Sequence, residues 1–259
     1  MRSTAYALLA ALCAFAVPAA AQTAADHIQM GRSVEDLDPQ TGLKHYREAL
    51  ALDSVNYEAL WRASDALVDV GKQTPDSVAS PARDSMYAEA EALARRAVQA
   101  DSMGAEGHFA LAQAVGRASL TKSKKERVRR AKEIRDEALR AIALDPNHDG
   151  AYHVLGRWNA EIMRLSGLTR FFAKTFLGGA VFNEASWDNA QKYMEKAVAL
   201  NPNYVYHHLD LAEVLIDRDR WAEARTQLEQ VESLPVTDAM DPTYKATAKT
   251  LLARIADKK

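Results

Sequence analysis

The segment Arg140-Ala141-Ile142-Ala143-Leu144-Asp145-Pro146-Asn147 decides how this chain folds, because it recurs as Lys196-Ala197-Val198-Ala199-Leu200-Asn201-Pro202-Asn203. Weaker copies read Glu48-Ala49-Leu50-Ala51-Leu52-Asp53-Ser54 and Arg96-Ala97-Val98-Gln99-Ala100-Asp101-Ser102. Each copy sets apolar residues at helical spacing and then a polar stop. Where the stop is Asp-Pro or Asn-Pro, proline pushes the preceding residue out of the α region. Proline itself suits a turn or the opening of the next helix. A helix-stop-helix phrase repeated along a chain predicts a helical-repeat array.

The stops at Asp53, Asp101, Asp145 and Asn201 lie 48, 44 and 56 residues apart, against about 34 for a minimal tetratricopeptide unit. The excess falls between paired helices, at 71–83, 119–127 and 164–185, where an insert projects from a stack without breaking it. No unit can bury its apolar stripe alone, so neighbours must stack. The fold expected is all-α: a tetratricopeptide-like α-solenoid of about four to five helix pairs, with inter-helix insertions and a C-terminal capping helix from Asp241-Pro242.

Local signals place the helices. Asp38-Pro39 caps and opens one that runs to Leu52. A second runs from Asn56 to Val70 with Gly71 as its stop, and Lys72 to Pro81 reads as loop before Asp84 opens a third. Ser123 and Glu126 have the form of a capping box for a long helix to Leu144. Gly156, in a helix over 149–163, predicts close approach by a neighbour. Ser186 caps 187–200, and the tightest pair spans 204–217 and 221–233.

The amino terminus reads as an address rather than as fold. Met1-Arg2, an apolar run from Ala5 to Val17 and the small residues Ala19-Ala20-Ala21 predict a signal peptide, residues 1–21, cleaved after Ala21. The expected mature chain, 22–259, is a single helical-repeat domain, periplasmic or secreted. The leader holds the only cysteine, Cys13, and one of 33 basic residues; that leaves 32 bases against 35 acids, a net charge of −3. Such a balance excludes nucleic acid as the main partner. Without cysteine, stability must come from an apolar core rather than disulfides.

Ser123-Lys124-Lys125-Glu126, Ala141 to Asn147 and Leu155-Gly156-Arg157-Trp158 resemble the regulator of microtubule dynamics family. Leu165-Ser166-Gly167-Leu168, Lys174-Thr175-Phe176-Leu177-Gly178 and Lys196 to Pro202 are similar in order and spacing. The resemblance covers roughly 88–235. It implies a non-catalytic α-helical repeat domain that acts through protein contacts, with lipid binding in some members. The departure is the exported start, which argues against microtubules as the partner.

Two stretches carry the candidate binding residues. In the insert, Leu168, Phe171, Phe172 and Phe176 crowd one side of a short helix; leaving all four in water forgoes roughly 6–12 kcal/mol, so they must be covered. They pack as extra core, lid a groove for an acyl chain or apolar peptide, or dock on a membrane surface. Upstream, Lys124, Lys125 and Arg129 belong to a basic run over 122–132 that faces Glu126 alone, and Arg157 and Arg164 extend it. That run reads as a solvated helix entry or as a patch for an acidic partner or anionic lipid. Tyr204, Tyr206, His207 and His208 open the last repeat; they read first as packing residues, with Tyr204 and His208 as candidate ligand contacts. Trp61, Trp158, Trp187 and Trp221 read as core or seam residues.

Enzyme signatures are wanting. Ser119-Leu120-Thr121-Lys122 matches a Ser-x-x-Lys pattern but lacks the sheet and companion motifs that such a site needs. The seven histidines show no His-Glu-x-x-His spacing, so no metal and no cofactor are expected. The reading is therefore a non-catalytic, exported scaffold for a protein or peptide partner. The alternative is a lipid or apolar-ligand binder that uses the insert and the basic run.

Overall fold

A computed structural model describes residues 22–176 and 180–258. The expected signal peptide and the Leu177-Gly178 end of the family-like turn lie outside the described residues. So do the side chains of Lys124, Leu168, Phe172 and Phe176. Twelve α-helices are described: α1 (Ala24–Arg32), α2 (Pro39–Leu52), α3 (Tyr57–Lys72), α4 (Pro81–Ala100), α5 (Ala105–Ala118), α6 (Lys124–Leu144), α7 (Asp149–Arg164), α8 (Gly167–Phe176), α9 (Trp187–Leu200), α10 (Val205–Asp217), α11 (Trp221–Ser233) and α12 (Asp241–Arg254). No strand occurs among the described residues.

The helix starts follow from side chains that satisfy otherwise orphaned N–H groups. Asp38, Asn56, Ser123 and Ser186 each accept a backbone N–H three residues on. Three expectations need correction. α3 runs through Gly71 rather than stopping there, because the glycine is a packing position. α4 opens at Pro81 under a Ser80 cap, not at Asp84. At Ser123 only half the capping box forms; the Glu126 carboxylate is drawn instead to Arg129 and Arg130.

Pairs α1–α2, α3–α4, α5–α6, α7–α9 and α10–α11 stack in succession, and α12 covers the last. Helices α3, α5, α7, α10 and α12 also touch in sequence. They form the inner wall of a curved array, the geometry by which solenoids make a concave surface. The curve brings the ends together. The Ala239 N–H, before α12, donates to the Asp36 carbonyl, after α1, at 2.8 Å.

Inner-helix glycines supply a packing device. A Cβ on Gly31 would lie 2.4 Å from the Tyr46 ring, and one on Gly71 2.4 Å from the Tyr87 ring. On Gly156 it would meet Met194 at 2.7 Å, whereas on Gly116 the nearest atom is Ile134 at 3.9 Å. The first three thus seat bulky residues from the outer helix, as expected at Gly156. Tyr46 and Tyr87 anchor one large core cluster, with Leu60, Leu67 and Val115. Met194, Leu209, Leu215 and Leu228 anchor a second.

The insert is partly core. Residues 180–184 form a 3-10 turn that buries Phe182 against Val128, Trp158 and Ile162. Phe182 was not among the aromatic residues singled out by helical spacing. The helix that carries those, α8, rests on this turn.

Candidate functional site

The inner helices bury one face outward and carry a polar row on the other. On α10 the row is Tyr206, Asp210, Glu213 and Asp217, successive positions along one helical face. On α7 it includes His153, Arg157 and Arg164, and on α5 Gln113 and Arg117. Stacking knits the rows together. Arg157 Nη1 lies 2.9 Å from Asp210 Oδ2 and also donates to the Tyr206 hydroxyl. Tyr206 stacks on Tyr244 at 4.4 Å, and Lys72 Nζ stands 5.9 Å from the Tyr206 ring centre, across the groove.

Beside this network opens a pocket of about 390 Å³. Leu120, Ile134, Trp158 and Ile162 make its apolar wall, and Arg117, Arg127 and Arg157 stand around it. Asp76 meets Arg117 at 3.3 Å, and Asp210 meets Arg157. The Trp158 indole N–H, tied to the Ala131 carbonyl at 2.7 Å, fixes the wall to α6. An apolar wall beside guanidinium groups can hold an amphipathic anion: dispersion and burial take one end, bidentate hydrogen bonds the other.

Behind Arg157 runs a chain of four side chains, three of them buried and the fourth, Asp149, partly exposed. His153 Nε2 lies 3.0 Å from Asp210, His153 Nδ1 lies 2.8 Å from His207 Nδ1, and His207 Nε2 lies 3.0 Å from Asp149. Two ring nitrogens at 2.8 Å need a hydrogen between them, since facing lone pairs repel. Burial pushes His153 down to about 4, so it is neutral near pH 7. Asp149 sits at about 2: burial works against its charge, but the bonds from His207 and Asn201 outweigh it. The chain clamps α7 to α10 and so aims Arg157 at the pocket.

Burial, reinforced by the Asp210 charge, pushes Glu213 up to about 7, although Arg157 and Arg164 pull it down. A carboxyl raised above its ordinary 4.5 favours the fold while protonated, and that contribution is lost as pH rises from about 4.5 to 7. Glu213→Gln should therefore leave melting unchanged at pH 4 and stabilise the protein at pH 8. A gain of about 1 kcal/mol is expected, reduced because a third of the side chain meets solvent. Thermal denaturation at both pH values checks it. His153 acts oppositely: it stays neutral in the fold while the unfolded imidazole takes up a proton, so its contribution is lost on acidification from about 6.5 towards 4.

The structure sorts the residues singled out from sequence. Arg157 is at the pocket. Arg164 leaves the supposed basic patch, for Asp217, Glu161 and Glu213 hold it at 2.7, 2.8 and 3.5 Å. The run over 122–132 faces more than Glu126: Glu91 takes Arg130 at 2.7 Å, and Asp136 takes Lys132. Arg129 is exposed and paired to Glu126 at 2.6 Å, and Lys125 is exposed. Phe171 is 56 % exposed, so the expectation that the insert's apolar side chains are all covered fails for it; the buried aromatic of the insert is Phe182. Tyr204 packs edge-on against His207 at 4.7 Å, away from the pocket. His208 is buried, bonded at 2.7 Å to Gln227 and at 2.9 Å to the Pro202 carbonyl, so it serves packing. Arg127, a member of the basic run, does reach the pocket; Arg117 and Asp210 are not among the residues the sequence singles out, and the polar rows opposite each apolar stripe are the signal that reveals them.

The model of a family described as regulator of microtubule dynamics protein 1-3 matches residues 23–256. No curated protein sequence matches the chain. Among solved structures, a thermophilic TPR protein of Thermus thermophilus is 15 % identical with a TM-score of 0.64, covering 88 % of this chain and 100 % of that one. Pseudomonas aeruginosa pilF is 15 % identical with a TM-score of 0.51, covering 91 % and 93 % respectively. At such identities the likeness is one of fold.

Proposed function

The chain belongs to the regulator of microtubule dynamics protein 1-3 family, a non-catalytic tetratricopeptide-like fold, and on that premise we propose that it is a scaffold whose concave pocket receives a segment of a partner protein. The observation that carries this reading is the apolar wall of Leu120, Trp158 and Ile162 beside three arginines. Its complement is an apolar side chain next to a carboxylate, either acidic or C-terminal. We place the activity outside the cytoplasm, on the exported character of residues 1–21; N-terminal sequencing of the native protein should then begin at Gln22.

Cross-linking and capture from the envelope fraction of its own cells tests the scaffold. The captured partner should be lost, at least about ten-fold, with Arg127→Glu, which reverses a charge at the pocket, and with Leu120→Trp, which fills it. Capture unchanged by both variants would refute the reading. A lipid anion is the second reading, because wall and rim also suit an acyl chain with a charged head. Native mass spectrometry separates the two: a lipid that co-purifies and is lost with Leu120→Trp favours the lipid.

A further inference from the structure

The first hairpin of the array holds a cluster unrelated to the pocket. On α2, His45 and Glu48 stand three residues apart and so share a face; His27 reaches them from α1. His27 Nδ1 lies 3.0 Å from Glu48 Oε2, His45 Nδ1 lies 3.2 Å from the same oxygen, and the two nitrogens are 3.4 Å apart. All three potential donor atoms fall within one small triangle.

That triangle has the size of a coordination face. Zinc holds imidazole nitrogen and carboxylate oxygen at about 2.0–2.2 Å in tetrahedral array, which sets neighbouring donors about 3.3 Å apart. We propose that His27, His45 and Glu48 bind one zinc-class divalent ion, with the fourth position left to water. Two imidazoles and a carboxylate suit zinc and its late first-row neighbours; magnesium and calcium prefer oxygen-only ligands. The side chains of His27 and His45 are 11 % and 16 % exposed, and that of Glu48 39 %, so the site is formed yet reachable. Lys44 approaches only the other carboxylate oxygen, at 4.0 Å.

No outer carboxylate or carbonyl braces either imidazole among the described residues. Outer partners of that kind add about 10–100-fold in affinity, so the site should bind that much more weakly than one whose imidazoles are braced. Its role follows from its place. α1 is nine residues long, and an ion bridging it to α2 pins the helix that leads into the ring-closing turn at Asp36.

The test uses the full chain, purified without a polyhistidine tag. Isothermal titration should find one zinc per chain, with magnesium inert, and cobalt should give the strong visible absorption of a tetrahedral site. Hydrogen exchange of α1 amides should slow when zinc is added. His45→Ala and Glu48→Gln should each weaken binding at least about ten-fold, with circular dichroism unchanged for Glu48→Gln, which keeps the side chain's shape. No saturable zinc binding, or binding that both variants leave intact, overturns the site. Octahedral cobalt spectra would overturn its geometry.

Discussion

Replacing Arg157 by alanine is expected to destabilise the protein by about 3 kcal/mol and to abolish partner capture. The reason is Asp210, which is 4 % exposed and keeps its charge because Arg157 and His153 stand beside it. The guanidinium holds Asp210 well below the usual carboxylate range against the opposing effect of burial. Removing one partner of a buried pair costs about 3–5 kcal/mol, since the remaining charge is stranded; the contact left with His153 puts this case at the lower end. Tyr206 loses a donor at the same stroke. The double variant Arg157→Ala/Asp210→Asn is the decisive comparison. It should recover a large part of the loss, because no buried charge remains to be stranded. Thermal denaturation at pH 7 gives all the terms of the cycle, and additive losses would show that the pair is uncoupled.

Gly71→Ala is the second large effect, a loss of about 2–3 kcal/mol from adding one methyl group. On an exposed helix this change would stabilise by up to about 1 kcal/mol. Here the new carbon would lie 2.4 Å from the ring of Tyr87, which is 1 % exposed and enclosed by the core. The ring must shift or the two helices must part, and overpacking of that kind typically costs about 1–3 kcal/mol. Gly116→Ala is the control, for its nearest neighbour would be at 3.9 Å. It should be neutral or stabilising. Urea titration of both variants decides the matter; equal losses would mean that helix pairing, rather than the tyrosine seat, sets the cost.

Gly71 also marks where reading the sequence fell short. A glycine after an apolar run looks like a helix stop, and only the tyrosine from the next helix shows it to be a packing position. Ser80-Pro81 likewise sits in a loop-like composition, although it is a cap and first turn. The recurrent stops succeeded because their physics is local: a capped turn acts on its own neighbours. Each phrase ends an outer helix, α2, α4, α6 or α9, and the inserts fall where the spacing put them. The pocket is the reverse case. Arg157 and Asp210 are 53 residues apart, and the histidine chain joins His153 to His207 across 54. No periodicity within a helix states which polar rows will face one another. Arg164 shows the same limit, since the carboxylates that neutralise it lie mostly on α10.

The Ala239–Asp36 contact has a consequence for how such a protein can change over generations. Most repeat arrays are open springs, able to gain or shed a unit at little expense. This one is a clasp, its circumference fixed by the number of hairpins that lets the two tips meet. Duplicating or deleting a hairpin would slide the tips past one another and alter the mouth they enclose. Variation is thereby steered away from length and into the residues that line the bore.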